Sequence, residues 1–348
     1  MRILIFNTRV PFVRGGAETL EKGLMIALKN YGHESDIIRI MENQGASYYY
    51  LLKMIMQVRL MEIEDYPINI DRVIALKFPS YYVKHHNKVV WFLHHYRQFY
   101  DLWNTEFGPP INDETLAIRE IIIKSDTEAL KKSKKVFAIS KTVAERLKKY
   151  NNIDAEVLYP PVEDGKNFYC ESYEDYIFFP SRLSPIKRHE LAIKAMRFVK
   201  APVRLIIAGG VEDESYLERL KSLILKYNLQ NKVEILQNLS KRQILELYSR
   251  ALAVVFPSFQ EDYGYITIEA MYSKKAVVTC NDSGGPIEFV ENNVNGFIVE
   301  PKEKAIAEAI SQLYVNKNKA IKMGERGYEK ILSLDINWGK VVDKLCYE

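Results

Sequence analysis

The sequence has 348 residues, 47% of them apolar, with 49 basic and 45 acidic side chains and a formal net charge of +4. This balance is typical of a globular protein, and the length favours two domains of roughly 150 residues each. The small positive charge gives no indication of a nucleic-acid partner.

The cysteines and the N-terminal stretch set expectations for the compartment. The three cysteines are far apart and lack a Cys-x-x-Cys pair, so we expect free thiols and neither a disulfide framework nor a cysteine zinc site. The first apolar run is too short for a signal peptide, and no run reaches the ~18 apolar residues of a spanning helix. We therefore expect a cytoplasmic protein that does not cross a membrane.

In the first half, short β-branched runs alternate with segments of helical period. The helical segments include 18–31 and 115–133, and Thr142 with Glu145 has the spacing of a capping box. The apolar runs predict strands at 2–6, 35–40, 72–77, 88–94, 135–140 and 155–159.

The second half repeats this pattern. Ser240 with Gln243 forms another predicted capping box at a helix start. The predicted strands are 176–181, 203–210, 232–236, 252–258, 276–280 and 296–300.

Strands that alternate with helices and are apolar throughout predict parallel sheets covered on both faces. The fold class is therefore α/β, with two doubly wound Rossmann-like domains that face each other across a cleft. The periodicity breaks near 159–176, which gives domains at 1–165 and 166–334. The last helix, within 335–348, either caps the second domain or crosses back to the first.

Two glycines follow the first predicted strand and directly precede a helix. Gly15 and Gly16 would leave the first amides of that helix open to an anion. A plain tight turn uses the same pair, and the residues alone leave both interpretations open. The spacing is not Gly-x-Gly-x-x-Gly, and no lone acid ends the second strand, which argues against a nicotinamide dinucleotide site.

A basic pair follows the strand at 176–181. Arg182 and Lys187 lie between that strand and the next helix. A guanidinium binds two oxygens and an ammonium acts as a point charge, which together suit a diphosphate. A solvated basic face is the alternative interpretation. The neighbouring Arg188 is expected to point elsewhere.

Two acids, Glu261 and Glu269, flank a glycine after the strand at 252–258. Glu261 is predicted at the tip of the sheet, and Glu269 can accept hydrogen bonds from vicinal hydroxyls such as a ribose diol. Gly264 lets the backbone approach a ligand closely. The next three amides would begin a helix that faces an anion, namely those of Tyr265, Ile266 and Thr267. This arrangement predicts a nucleotide-sugar site, and an amphipathic helix with a surface acid is the alternative.

Motifs spread over nearly the whole chain resemble those of retaining glycosyltransferases of the GT-B type, in the large group 1 (family 4) class. The Glu-x7-Glu element at 261–269 is specific in this setting, and no Asp-x-Asp of the metal-dependent GT-A type is present. The matching stretches are "GGAE" (15–18), "YGHESDI" (31–37), "SRLSPIK" (181–187), "PSFQEDYGYITIEAM" (257–271) and "SGGPIEFVENNVNGFIVEP" (283–301).

The resemblance implies a role for each acidic and basic position. Arg182 and Lys187 hold the donor diphosphate and offset the charge that develops on the leaving nucleotide. Glu269 binds the ribose hydroxyls, and Glu261 binds hydroxyls of the transferred sugar. Metal and other cofactors are not required by this design.

The resemblance also implies contacts from other loops. Gly15 and Gly16 face the diphosphate or sugar, together with the amides at 265–267. His94 touches the sugar from the first domain, with His95 as the weaker candidate. Leu239, in the loop 237–239, contacts the base.

The implied function is transfer of a sugar, with retention, from a UDP- or GDP-sugar to a saccharide or lipid-linked acceptor in polysaccharide or glycolipid biosynthesis. A front-face reaction and a double displacement through Glu261 both remain open. An epimerase or phosphorylase on the same fold is an alternative, as is a catalytically degenerate sugar-binding partner.

Two segments bear on the acceptor. The aromatic stretch 93–108 either lines an acceptor pocket or packs in the core. Residues 48–63 are apolar nearly all round and read either as a core helix or as a membrane-facing helix. In the second case the basic segment 130–149 would attract anionic lipid at the inner face of the membrane.

Overall fold

The computed structural model of this protein describes residues 1–11, 15–43, 47–65, 67–163 and 165–348. The chain divides into two compact units. The first combines Met1–Glu163 with Ile336–Glu348, and the second is Asp164–Asp335. In both units strands alternate with helices along the chain, which is the predicted α/β class.

The sheet of the first unit consists of parallel strands. They are β1 (Arg2–Arg9), β2 (Glu34–Met41), β3 (Arg72–Ala75), β4 (Lys88–Phe92), β5 (Lys135–Ala138) and β6 (Glu156–Val157). Within the described residues of this unit, they pair in the order β2-β1-β3-β4-β5-β6. β3 and β4 are buried along their whole length, which explains why they are apolar without alternation.

Helices connect these strands. They are α1 (Gly16–Asn30), α2 (Tyr49–Arg59), α3 (Asp113–Lys131) and α4 (Lys141–Asn151), with 3-10 turns at Ser80–Tyr82 and Arg97–Phe99. Both helical segments predicted here, 18–31 and 115–133, coincide with α1 and α3 to within two residues at each end.

The predicted capping box of Thr142 and Glu145 is wrong. Ser140 is the N-cap of α4, and its hydroxyl accepts a hydrogen bond from the amide of Val143 at 3.0 Å. Because β5 ends at Ala138, the chain enters the helix after only two connecting residues. Thr142 therefore already lies in the first turn, where it cannot act as the cap.

The C-terminal helix, Trp338–Tyr347, belongs to the first unit. The ring of Trp338 meets that of Trp91 edge-on, with centroids 6.2 Å apart. It also covers Gly23 of α1 so closely that a Cβ at Gly23 would lie 2.4 Å from the indole. Of the two expected positions for this helix, the structure has the one that crosses back.

α2 is divided between core and surface. Its buried side chains are Leu51, Met54, Ile55 and Val58. Met56 on its other side is 52% exposed, and Leu60 just after its end is 71% exposed. Among the described residues, no helix combines the length and apolar character needed to span a bilayer.

The second unit has its own parallel strands. They are β7 (Tyr176–Pro180), β8 (Arg204–Ala208), β9 (Val233–Leu236), β10 (Ala253–Val255), β11 (Ala276–Cys280) and β12 (Gly296–Val299). In the part of this unit that the structure describes, their order is β12-β11-β10-β7-β8-β9. This is the strand order of a dinucleotide-binding sheet. From β7 the chain adds β8 and β9 on one side, and then β10, β11 and β12 on the other, so the strand order reverses between β7 and β10.

Helices follow the strands here as well. They are α5 (His189–Ala195), α6 (Glu214–Lys226), α7 (Lys241–Arg250), α8 (Tyr265–Tyr272), α9 (Pro286–Phe289), α10 (Glu303–Val315) and α11 (Lys317–Ser333), with 3-10 turns at Gly165–Asn167 and Pro185–Lys187. The predicted capping box of Ser240 and Gln243 is confirmed at the start of α7.

Candidate functional site

Three loops of the second unit meet at the carboxyl ends of its central strands. They follow β7, β10 and β11 and comprise residues 181–188, 256–264 and 281–285. Strand order reverses between β7 and β10, and in parallel α/β sheets the carboxyl ends of the strands at such a point border the crevice in which ligands bind. Arg182, Lys187 and Glu261 all lie on these loops.

Lys187 and Glu261 form an ion pair at this crevice. Lys187 Nζ lies 2.5 Å from Glu261 Oε2, and the two side chains are only 13% and 20% exposed. The ammonium also lies 5.5 Å from the centroid of the Phe256 ring. The sequence placed both residues at strand ends, but the contact between them was not predicted.

Arg182 also has an internal carboxylate partner. It pairs with Glu212, in the loop after β8, and the two side chains are 41% and 34% exposed. Sequence reasoning missed Glu212, although it follows a strand end as the predicted residues do. Both predicted diphosphate-binding cations are therefore paired with acids that an incoming anion would have to replace.

Arg188 has different partners from Lys187 and joins its own loop to two others. Its guanidinium donates to both carboxylate oxygens of Asp282, at 2.7 and 2.8 Å, and stacks 4.7 Å from the ring of Phe259. The amide of Phe259 donates to Ile186 O at 2.9 Å, and that of Gln260 to Asp282 O at 2.9 Å. One side chain thus links the loops after β7, β10 and β11.

Arg188 also has an unusual backbone conformation. Its φ is +60° and its ψ is 41°, the left-handed region that residues with a Cβ rarely adopt. This conformation ends the 3-10 turn that carries Lys187 and starts α5. The contacts with Asp282 and Phe259 stabilise a backbone that would otherwise be strained.

The main chain of Glu261 is fixed on both sides. Its amide donates to Ser283 O at 2.8 Å, and its carbonyl accepts the amide of Gly285 at 2.8 Å. Gly284, at φ +73°, lies so close that a Cβ there would be 2.4 Å from the Glu261 carbonyl oxygen. The glycine therefore permits the close packing of the two loops that holds Glu261 at the tip of the sheet.

Gly264 is the N-cap of α8, at φ +86°, and a Cβ there would lie 2.7 Å from a Pro286 side-chain carbon. The glycine is therefore required for packing against Pro286. The approach to a ligand that the sequence predicts for it stays a prediction. The prediction for the three amides that follow needs correction. The amide of Thr267 donates to Gly264 O at 2.9 Å within the first turn, so the role expected of these amides falls on Tyr265 and Ile266.

Glu269 projects from α8 and is half-buried. The hydroxyl of Tyr248, a fully buried residue of α7, donates to its Oε2 at 2.7 Å. Burial raises the pKa of Glu269, whereas the Tyr248 hydrogen bond and the charge of Lys241 oppose that shift. Tyr248 was not predicted, because its only sequence signal is a helical tyrosine.

Leu239 lies at the same edge of the sheet, between β9 and α7, and is half-buried. In the strand order, β9 is two strands away from β7, which corresponds to about 10 Å along the edge. This spacing is compatible with an extended ligand whose ends lie near Lys187 and Leu239.

The candidates in the first unit have their own local partners. The amide of Gly15 donates to Glu18 Oε2 at 2.8 Å, and Gly16 begins α1. His94, two residues beyond β4, is half-buried with its Nδ1 2.7 Å from His95 O. His95 is buried, stacks on a tyrosine and pairs with Asn151.

Residues 170–330, which cover nearly all of the second unit, match the family model of glycosyl transferases group 1. Human alpha-1,3/1,6-mannosyltransferase ALG2 is 28% identical over 210 residues, which cover 54% of this chain and 50% of ALG2. The O-antigen chain mannosyltransferase RfbU of Salmonella typhimurium is 30% identical over 190 residues, 53% of this chain and 52% of RfbU. The chain thus spans about half the length of each relative.

The fold is shared with solved structures. Sucrose-phosphate synthase from Thermosynechococcus elongatus matches over 98% of this chain and 97% of its own, with a TM-score of 0.78 at 18% sequence identity. At this identity the likeness concerns the fold, which is the GT-B fold expected from the sequence.

The left-handed backbone of Arg188 predicts different stabilities for two variants of this residue. Arg188→Ala and Arg188→Gly both remove the guanidinium, but only glycine adopts φ +60° without strain, so we expect the alanine variant to be less stable by about 1 kcal/mol. Urea unfolding followed by far-UV circular dichroism measures this difference. Because all three tryptophans, at 91, 103 and 338, lie in the first unit, their fluorescence reports separately on that unit.

The control is an exposed pair of the same chemistry. Glu171 accepts from Arg250 at 2.8 and 3.1 Å, with both side chains nearly half exposed. Glu171→Ala should change stability by less than about 0.5 kcal/mol, whereas Asp282→Ala should lower it by about 1–2 kcal/mol. Equal stabilities for the two Arg188 variants would contradict a strained backbone at Arg188.

Proposed function

We propose that this chain, whose residues 170–330 match the family model of glycosyl transferases group 1, transfers a sugar from a nucleoside-diphosphate donor to a saccharide or lipid-linked acceptor. The two relatives described above are named mannosyltransferases, which supports a hexose as the transferred group. The proposed reaction retains the anomeric configuration and belongs to polysaccharide or glycolipid biosynthesis.

The observation that carries this proposal is that Lys187 and Arg182, at the point where strand order reverses, are both paired with carboxylates. Lys187 is paired with Glu261 at 2.5 Å, and Arg182 is paired with Glu212. A diphosphate offers the same kind of anionic oxygen as these carboxylates, with more of them per ligand. The site is therefore suited to bind a diphosphate by exchange of one anion for another.

In the proposed reaction, Arg182 and Lys187 offset the negative charge that grows on the diphosphate as the bond to the sugar breaks. Once Lys187 turns to the diphosphate, the carboxylate of Glu261 becomes available to the hydroxyls of the sugar. Glu269 accepts from the ribose hydroxyls, with its other contact provided by Tyr248.

A front-face course is favoured over a double displacement. In the proposed complex the carboxylate of Glu261, released by Lys187, accepts from hydroxyls of the sugar, so it is engaged there and is not assigned the role of nucleophile. In the front-face course, the acceptor hydroxyl attacks the anomeric carbon as the bond to the diphosphate breaks, and the departing phosphate oxygen takes the hydroxyl proton. No protein nucleophile is then needed.

Donor binding is the first test. We expect one of UDP, GDP and ADP to raise the thermal midpoint of the protein without added metal, because a ligand at ~100 times its dissociation constant adds about 2.7 kcal/mol of stability. Arg182→Ala should abolish this rise. Glu212→Gln should tighten nucleotide binding, because it removes the carboxylate that competes for Arg182.

Arg250→Ala, which removes an exposed arginine paired with Glu171, serves as the matched control and should bind nucleotide as the parent protein does. Weaker nucleotide binding in Arg182→Ala together with tighter binding in Glu212→Gln would not result from general destabilisation. A rise with NAD but with none of the diphosphates would overturn the proposal, and so would unchanged binding in Arg182→Ala.

The role of Glu269 predicts a pH dependence. If its carboxylate binds the ribose, nucleotide affinity falls as pH decreases through the pKa of Glu269, since the protonated acid is a weaker acceptor. Tyr248→Phe removes a hydrogen bond that lowers this pKa, so the acid limb of the binding profile should move to higher pH. Calorimetric titration at a series of pH values measures the midpoint.

Tyr216→Phe is the control for this experiment, because it removes the hydroxyl of another buried tyrosine in the second unit, on α6. Its acid limb should coincide with that of the parent protein. The same midpoint in Tyr248→Phe and the parent protein would remove Glu269 from the binding site.

We also propose that the acceptor is met at an anionic membrane surface. Leu60 and Met56 are 71% and 52% exposed, and Arg59 lines one cavity together with Lys84 and Lys132. Apolar side chains beside clustered cations favour binding to anionic lipid. We expect flotation with vesicles that contain phosphatidylglycerol at low salt, with weaker flotation of Leu60→Asp.

Leu332→Asp is the matched control for this measurement. Leu332 is 51% exposed but lies in α11 of the second unit. Failure of the parent protein to bind anionic vesicles at low salt would rule out this form of the proposal, while leaving the donor site untouched.

A further inference from the structure

A cluster of metal-ligating side chains lies in the first unit, apart from the proposed donor site. One ligand atom each from Glu64, His85 and His86 lies within 4.8 Å of the other two. The histidines precede β4, and Glu64 lies between α2 and β3. The cluster is therefore at the amino ends of the strands, whereas Gly16 and His94 follow the carboxyl ends of β1 and β4.

The contacts of the His85 ring indicate which of its nitrogens would bind a metal. Its Nε2 lies 3.1 Å from the carbonyl oxygen of Ile70, which can only accept, so Nε2 carries the proton. The lone pair is then on Nδ1, where it accepts the amide of Asn87 at 3.1 Å, so a metal bound at Nδ1 would have to displace this amide. A histidine whose second nitrogen donates to a backbone carbonyl is the usual arrangement around bound metals.

His86 and Glu64 already contact each other. His86 Nδ1 lies 2.9 Å from Glu64 Oε1, and the same oxygen accepts the His86 amide at 2.6 Å. Two ligands of a tetrahedral zinc ion, each about 2.0–2.1 Å from the metal, lie about 3.3 Å apart. The pair therefore needs to open by only a few tenths of an ångström, with a metal in place of the shared proton.

We propose that Glu64, His85 and His86 bind a Zn²⁺ ion, with water completing the coordination. Two imidazoles and one carboxylate suit zinc, whereas Mg²⁺ and Ca²⁺ require mainly oxygen ligands. The side chains of His86 and Glu64 are 73% and 52% exposed, which gives the ion access to solvent. The bound ion would tie the segment between α2 and β3 to the turn before β4.

Positive charges beside the three ligands lower the expected affinity for Zn²⁺. The adjoining cavity, of about 480 Å³, is lined by Arg59, Lys84 and Lys132, and these positive charges oppose a cation. We therefore expect a dissociation constant on the order of 1 µM, weaker than that of closed structural zinc sites.

Competition with a chromophoric zinc chelator, on tag-free and metal-free protein, tests the site. We expect about one Zn²⁺ per chain, with affinity lowered roughly 10- to 100-fold in Glu64→Gln and His86→Asn. Mg²⁺ at millimolar concentration should not compete. Cys170→Ser is the control, because Cys170 is a partly exposed free thiol that could bind zinc elsewhere, and it should bind as the parent protein does.

Two results would overturn the site: no binding by the parent protein at 100 µM free Zn²⁺, or parent-like affinity in both Glu64→Gln and His86→Asn. Far-UV circular dichroism of the metal-free variants checks that they are folded, which the exposure of both side chains favours. Glu64→Gln should leave nucleotide binding unchanged, so this test is independent of the donor site.

Discussion

The reversal of strand order between β7 and β10 decides where the second unit can bind a ligand. The carboxyl ends of the strands at such a point border the crevice in which ligands bind, and the loops that leave these two strands carry their polar groups there. Lys187 and Glu261 are 74 residues apart in the chain yet 2.5 Å apart in space for this reason. The same reversal brings the loop after β11 alongside, because β11 is the next neighbour of β10.

Charge compensation follows from this convergence. A lysine that is only 13% exposed cannot remain unpaired without a large loss of hydration, so Glu261 stabilises Lys187 until an anion arrives. Arg182 is 41% exposed, and its pairing with Glu212 contributes less, because water screens it. In the proposed function, a diphosphate would take the place of Glu261 as the partner of Lys187 at a small net cost in electrostatic energy, and Glu261 would then be free for a second contact.

The sequence predicted the sheets well because β-branched apolar runs between turn residues have few other structures open to them. The start of α4 was mispredicted because the end of β5, which is set by pairing, decides where the chain turns. The carboxylate partners of Arg182 and Arg188 were not predicted, since Glu212 and Asp282 come from distant loops. Such pairs depend on which strands are neighbours, and a single sequence does not encode that order locally.

Arg188 shows how the site is held in place without a ligand. A left-handed residue with a Cβ is disfavoured by roughly 1–2 kcal/mol, and the fork to Asp282 with the stacking on Phe259 offsets this. These contacts join all three loops. If the loop that carries Asp282 or Phe259 moved, the left-handed backbone of Arg188 would lose the contacts that offset its strain. These contacts order the loops that carry Lys187 and Glu261, so in the proposed function donor binding would not have to supply that ordering.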